Sequence, residues 1–255
     1  MPFSDYTKAL VTGASSGIGK AVVERLAREG LEVHALARSA DALKALADRT
    51  GCVPHAIDVR DLADIGKLAG SVEFDVLVNC AGVDRPKKFL QADADDIELL
   101  IDVNLRAVLH LCRLVVPGMV ARDRGHVVNV TSIAGAHNFG GNSTYHATKA
   151  AVSMLTRQLR VDAFGKRVRV TEICPGRVAT DIFAHVHGDS AETHAKFIEG
   201  FELPEARDIA DAIAFAIAAP VAVNIGLMEI TPTLQVPAGL MTTRPDHPAK
   251  PSLPT

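Results

Sequence analysis

Short apolar runs rich in Val, Ile and Leu alternate along the chain with longer stretches whose apolar residues recur every three to four positions. Runs at 9–11, 32–37, 53–57, 76–78, 126–130, 167–173 and 227–230 have the length of strands. Most are apolar on both faces, as parallel strands covered by helices require. Helical periodicity marks 18–29, 40–49, 62–69, 95–122, 143–164 and 205–219. This alternation predicts an α/β fold, a single Rossmann-type doubly wound parallel sheet of about seven strands with helices on both faces. No repeat or internal linker interrupts residues 1–240, which read as one domain. Within it, 180–204 is polar, irregular and long for a connection, so it is a candidate substrate lid. Residues 241–255 form a Pro-rich tail, expected as a loose arm or an oligomer contact.

Composition narrows the classes. A chain of 255 residues, 48% apolar, can bury a sizeable core. Its net charge of −3 provides no general field for nucleic acid or an anionic membrane. No Trp and 4% aromatics also argue against a base-stacking surface. The apolar run 212–223, broken by Pro220, is short of the roughly 20 residues of a membrane span and reads as a buried helix. The N-terminus lacks a basic region followed by an apolar one, so a cytoplasmic protein is expected. Cys52, Cys80, Cys112 and Cys174 are scattered and form no C-x-x-C pair, which speaks against disulfides or a zinc site.

Directly after the first strand stands Thr12-Gly13-Ala14-Ser15-Ser16-Gly17-Ile18-Gly19, running into a helix. Glycines at such a turn allow close backbone approach to a pyrophosphate, and the helix start offers free N–H groups to the anion. The end of the second strand reads Ala35-Leu36-Ala37-Arg38. An acid there would bind a free adenosine ribose; small Ala37 and the guanidinium of Arg38 instead favour NADP(H) over NAD(H). Read without a cofactor, Arg38 is a solvated helix-start residue.

Ser132 follows the strand 126–130, and Tyr145 and Lys149 are four apart on one helical face. Tyrosine has a reference pKa of about 10. A lysine ammonium one turn away, with the charge of an oxidised nicotinamide, would lower it. Ser132 can hold a substrate oxygen beside Tyr145 while the tyrosine passes a proton and the nicotinamide a hydride.

The chain resembles the short-chain dehydrogenase/reductase family over nearly its whole length. The residues that carry this are Thr12 to Gly19, Asp58-Val59, Asn79-Cys80-Ala81-Gly82, Asn104, Ser132, Tyr145 to Lys149 and Pro175-Gly176. The resemblance implies that Asp58 and Val59 flank the adenine and that Asn79, Ala81 and Gly82 support the ribose side. It also implies that Lys149 holds the nicotinamide ribose, that Asn104 anchors a water in a proton relay, and that Val178 and Thr180 meet the carboxamide. The family usually has Asn where Cys80 stands. The segments 139–145 and 223–232 are similar to the NADP-dependent 3-hydroxy acid and serine dehydrogenase branch. Similar chains include sulfoacetaldehyde and other aldehyde reductases, and this sequence departs from the branch at Ala136-His137-Asn138 and at 177–181. The expected activity is alcohol–carbonyl interconversion on a small polar hydroxy acid or semialdehyde. Reduction of a bulkier ketone and a non-catalytic dinucleotide sensor are the alternatives. A dimer or tetramer through helices 95–122 and 143–164 is also implied.

Two further signals carry less. His185, His187, Asp189 and His194 have a spacing like that of metal ligands, but they sit in the lid, so no metal is expected. Arg85, Lys87 and Lys88 form a short basic run that either is solvated or attracts an anionic substrate.

Overall fold

In the computed structural model, the residues described are 3, 6–180, 192, 193, 195, 198–236 and 241–242. Seven strands form one sheet: β1 (Lys8–Thr12), β2 (Glu32–Ala37), β3 (Val53–Ala56), β4 (Val76–Asn79), β5 (Gly125–Val130), β6 (Val168–Pro175) and β7 (Leu227–Ile230). Their order is β3-β2-β1-β4-β5-β6-β7, and every adjacent pair is parallel. The order reverses between β1 and β4, so a crevice opens there at the carboxyl edge. β1, β4, β5 and β6 are buried nearly throughout, as their apolar runs require. The edge strands β3 and β7 alternate instead, with half of each facing outward.

Helices α1 (Gly17–Arg28), α2 (Ala40–Thr50) and α7 (Ala206–Ala218) cover one face with a core of Val22, Val23, Leu26, Ile209 and Ile213. The other face carries α3 (Leu62–Ser71), α5 (Ala107–Ala121) and α6 (Ser143–Asp162), packed through Leu68, Leu111, Val115 and Val152. Local chemistry sets several ends. Asp61 caps α3 by accepting from the N–H groups of Ala63 and Asp64, and Gly51 closes α2 at φ +71°.

Two expectations are corrected. The single helix expected over 95–122 is α4 (Ala94–Ile101), a π turn (Asp102–Arg106) and α5. The wider turn accommodates Asn104, whose side chain reaches out to bond the backbone of Val83. The run 212–223 is not a buried helix. Pro220 disfavours helix at Ala219, which adopts φ −58° and ψ 147°, so α7 stops at Ala218 and Val221 and Val223 are exposed. Phe215 also faces outward, because α7 is amphipathic around Ile209, Ile213 and Ile217. At the start of the expected tail, Met241–Thr242 pairs antiparallel with Gln235–Val236. The lid histidines and the rest of the tail lie outside the described residues.

Candidate active site

The turn after β1 is shaped by what glycine lacks. Gly13 has φ +70°, and a Cβ there would stand 2.9 Å from the backbone of Ala81. A Cβ on Gly19 would overlap the Gly13 carbonyl, so the start of α1 packs hard on the turn. Thr12 Oγ1 accepts from the N–H groups of Cys80 and Ala81 at 3.1 and 3.0 Å, tying β1 to the loop after β4. Ser16 precedes α1 without a side-chain cap, and the first turn holds no acid. The positive end of α1 is therefore available to an anion beside Ser15, Ser16, Gly17 and Ile18. A Cβ on Gly17 would stand 3.6 Å from Thr180, which brings the segment after β6 across to this turn.

At the other side of β1, Ala37 is buried and Arg38 exposed. Arg38 lies near enough to Asp58 to depress its pKa, although Arg60, bonded to the same carboxylate at 2.7 Å, does so more. Val59 is buried. Asn79 is not brought into the crevice. It donates to Asn129 Oδ1 at 2.8 Å, and Asn129 in turn donates to Thr156 Oγ1 at 2.9 Å. This buried file joins β4, β5 and α6 under the site and cannot be read from any local motif.

The chemistry-bearing residues converge one strand further along. Ser132 follows β5 and caps a short 3-10 turn (Ile133–Gly135), accepting from Ala134 N–H at 3.2 Å and so keeping its own proton free to donate. Its hydroxyl lies near enough to that of Tyr145 to favour the ionised phenol. Lys149, buried one turn along α6, donates to the Val130 carbonyl at 3.0 Å, and its Nζ is 5.6 Å from the Tyr145 ring centre. A Cβ on Gly82 would stand 3.5 Å from Asn104 Oδ1 and 3.6 Å from Lys149 Nζ, so these three residues share one wall. The Asn104 side chain is spent on Val83, accepting from its N–H and donating to its carbonyl, each at 2.8 Å.

Without cofactor, burial pushes the pKa of Tyr145 up, Asp84 and Cys174 add to the rise, and Ser132 opposes it. Lys149 is itself driven down to about 8 by burial, against the opposing pull of Cys80, Asp84 and Cys174. Asp84 is held by Asn142 Nδ2 at 2.9 Å, which links the loop after Gly82 to the start of α6. Burial keeps Cys80 and Cys174 protonated, with pKa values raised to about 12. The basic run is solvated, one of its two expected readings: Lys87 and Lys88 are exposed and Arg85 partly so. Lys87 is paired with Asp93 and Asp96, and Arg85 lies 3.4 Å from Asp96, so two of the three cations are already neutralised. Beneath the site, the buried carboxylate of Glu172 accepts from Thr131 at 2.8 Å and Ser153 at 3.0 Å. Neither this pair nor Asp84 had a sequence signal.

Residues 7–191 match the short chain dehydrogenase family. The chain belongs to that family. It is 39% identical over 245 residues to an uncharacterized short-chain type dehydrogenase/reductase of Sinorhizobium fredii, covering 95% of this chain and 98% of that one. It is 37% identical to the NADP-dependent 3-hydroxy acid dehydrogenase YdfG of Salmonella typhi, over 92% and 98% of the two chains. Among solved structures it is similar to the closed form of a serine dehydrogenase complexed with NADP+, with a TM-score of 0.87, 33% identity, and 93% and 100% coverage. Among the described residues, no group of three or more His, Cys, Asp or Glu could hold a metal, and no helix is long and apolar enough to cross a membrane.

Proposed function

We propose that this short-chain dehydrogenase is an NADP(H)-dependent oxidoreductase that interconverts a small polar hydroxy acid and its carbonyl counterpart. The observation that carries the reading is Ser132 beside Tyr145, with Lys149 one turn away, at the crevice beside the glycine turn. The cradle fits a dinucleotide. Gly13 and Gly19 leave room for close approach, the α1 N-terminus is free of acids, and exposed Arg38 beside small Ala37 suits a 2′-phosphate. Asp58 and Val59 would border the adenine, Ala81 and Gly82 the ribose side, and Pro175, Gly176, Val178 and Thr180 the nicotinamide. When bound, the nicotinamide supplies or accepts the hydride.

The remaining work falls to the chain. Ser132 donates to the substrate oxygen. Tyr145 moves the proton at that oxygen; as the base of the oxidative direction it needs the positive charges of Lys149 and an oxidised nicotinamide to oppose the rise that burial imposes on its pKa. Lys149 supplies positive charge to the tyrosinate as it forms. With the Asn104 side chain bonded to Val83, what Asn104 can offer a relay water is its backbone carbonyl, in the π turn beside Lys149. Similarity to a 3-hydroxy acid dehydrogenase and a serine dehydrogenase supports the substrate class. Leu109, Met154, Val161 and Phe164, apolar and exposed on α5 and at the end of α6, support a homo-oligomer through these helices.

The test is turnover of L-serine, 3-hydroxypropanoate and bulky apolar alcohols with NADP+ and NAD+. Oxidation of the small acids with NADP+ is expected. A preference for the bulky alcohols would overturn the substrate class, and absence of any turnover would overturn the enzyme.

A further inference from the structure

Arg177 stands directly after Pro175-Gly176, where β6 leaves the sheet. It is half-buried, and burial lowers its pKa with no carboxylate set against it. The other buried or half-buried arginines among the described residues have oxygen partners. Arg25 bonds Asp211 at 2.7 Å, Arg85 lies 3.4 Å from Asp96, Arg122 donates to the Phe74 carbonyl at 2.8 Å, and Arg169 donates to the carbonyls of Ala216, Ile217 and Ala219 where α7 ends. Arg177 lies instead over the Phe201 ring, with Cζ 5.0 Å from the ring centre. A ring contact of this kind satisfies none of the guanidinium's N–H donors, and no oxygen among the described residues accepts from this side chain.

Gln235 adds a second, separate signal. It is 6% exposed, its Oε1 accepts from the Arg177 backbone N–H at 2.9 Å, and its Nε2 has no partner. A buried amide donor without an acceptor is unfavourable. Charged and neutral donors thus flank one turn, with no acceptor for them among the described residues. That turn begins beside Cys174, whose thiol is near enough to Tyr145 and Lys149 to influence both, and reaches Thr180 opposite the glycine turn. It borders the place where a substrate must sit.

We infer that Arg177, with Gln235 beside it and Phe201 behind it, is a carboxylate-binding subsite that grips the acid group of the substrate. A planar fork matches two carboxylate oxygens, and partial burial strengthens the pairing. Holding the acid there would turn the hydroxyl carbon toward Ser132 and Tyr145. The inference rests on the hydroxy-acid reading and assigns its specificity to named residues.

The experiment compares kcat/KM for 3-hydroxypropanoate with that for its uncharged methyl ester, in the wild type, Arg177→Gln and Arg177→Lys, with saturating NADP+. In Arg177→Gln the acid-to-ester ratio should fall about 10- to 100-fold, the size of a charge-assisted hydrogen bond, and the fall should appear in KM. Arg177→Lys, which keeps the charge without the fork, should recover part of it. NADPH affinity, titrated by its fluorescence, reports on the cofactor separately. An unchanged ratio in an enzyme that oxidises the acid would overturn the subsite alone. A matching loss of NADPH affinity with the ratio intact would assign Arg177 to the cofactor's phosphates and overturn it too. A wild type that turns over the ester and not the acid would instead overturn the hydroxy-acid reading beneath it.

Discussion

Around the glycine turn, the crevice is shaped by backbone and by the Cβ atoms that Gly13 and Gly19 lack, over a core in which Val22, Val23 and Leu26 are fully buried. Around Tyr145 the surroundings are ionisable or thiol-bearing: Lys149, Glu172, Cys80 and Cys174 crowd beneath one helix, and several are far from their ordinary pKa values. The first region is a matter of shape and fails when an atom is added. The second holds groups whose pKa values burial has moved away from their values in water, and fails when a charge is taken away. Rigid shape suits a cofactor that is the same at every turnover, whereas proton transfer needs groups poised between two states.

The largest effect is expected at the chemical end. Tyr145→Phe removes the proton donor and acceptor, and turnover should fall about 10²- to 10⁴-fold while NADPH binding persists. Steady-state rates and a cofactor titration check both halves, and near-normal turnover would remove Tyr145 from the chemistry. At the shape-determined end, Gly13→Ala forces a side chain into φ +70° and against the Ala81 backbone. A loss of about 2–5 kcal/mol is expected, from left-handed strain and overpacking together. Thermal unfolding should show it along with weakened NADPH binding, and a variant as stable as the parent would mean that the turn can open.

Lys149→Met separates function from stability. Burial costs the ammonium the difference between 10.5 and about 8 in pKa, on the order of 3 kcal/mol at neutral pH. Losing the bond to Val130 offsets about 1 kcal/mol. The variant should therefore lose most turnover yet be about 2 kcal/mol more stable, some 4–8 °C in Tm. The sign follows from linkage. Below pH 8 the buried lysine is charged and its full penalty is present; between about 8 and 10.5 the unfolded chain holds more protons, so the parent gains stability and the gap closes. A gap that does not narrow over that range would mean that the amine is not titrating there.

The smallest effect concerns cofactor choice. Replacing Ala37→Asp with Arg38→Leu puts a carboxylate where a 2′-phosphate would lie and removes the guanidinium, so the NADPH-to-NADH ratio of kcat/KM should fall roughly 10- to 150-fold. Arg60, bound to Asp58, and neutral Ser16 offer little in reserve. A wild type that prefers NADH would refute the preference.

Much of this molecule is legible without coordinates, because it is written in local patterns. Alternation of apolar runs and helical periods specifies a parallel sheet, since strands covered on both faces must be apolar on both. Glycines between a first strand and a helix specify a close backbone approach, and Tyr145 four residues before Lys149 puts both on one face. What the tertiary structure alone decides is how distant segments tune these pieces. Asn79 turns inward because Asn129 and Thr156, from β5 and α6, meet it there. Two cations of the basic run are paired because Asp93 and Asp96 fold back onto Lys87 and Arg85. Without cofactor, Tyr145 is pushed up in pKa because distant segments bury it and set Asp84 and Cys174 near it, against the opposing effect of Ser132. Arg177 has a ring and no oxygen as its side-chain partner among the described residues because Phe201, 24 positions away, folds against it. Desolvation and charge pairing depend on distances between segments remote in sequence, and no window of the chain contains those distances.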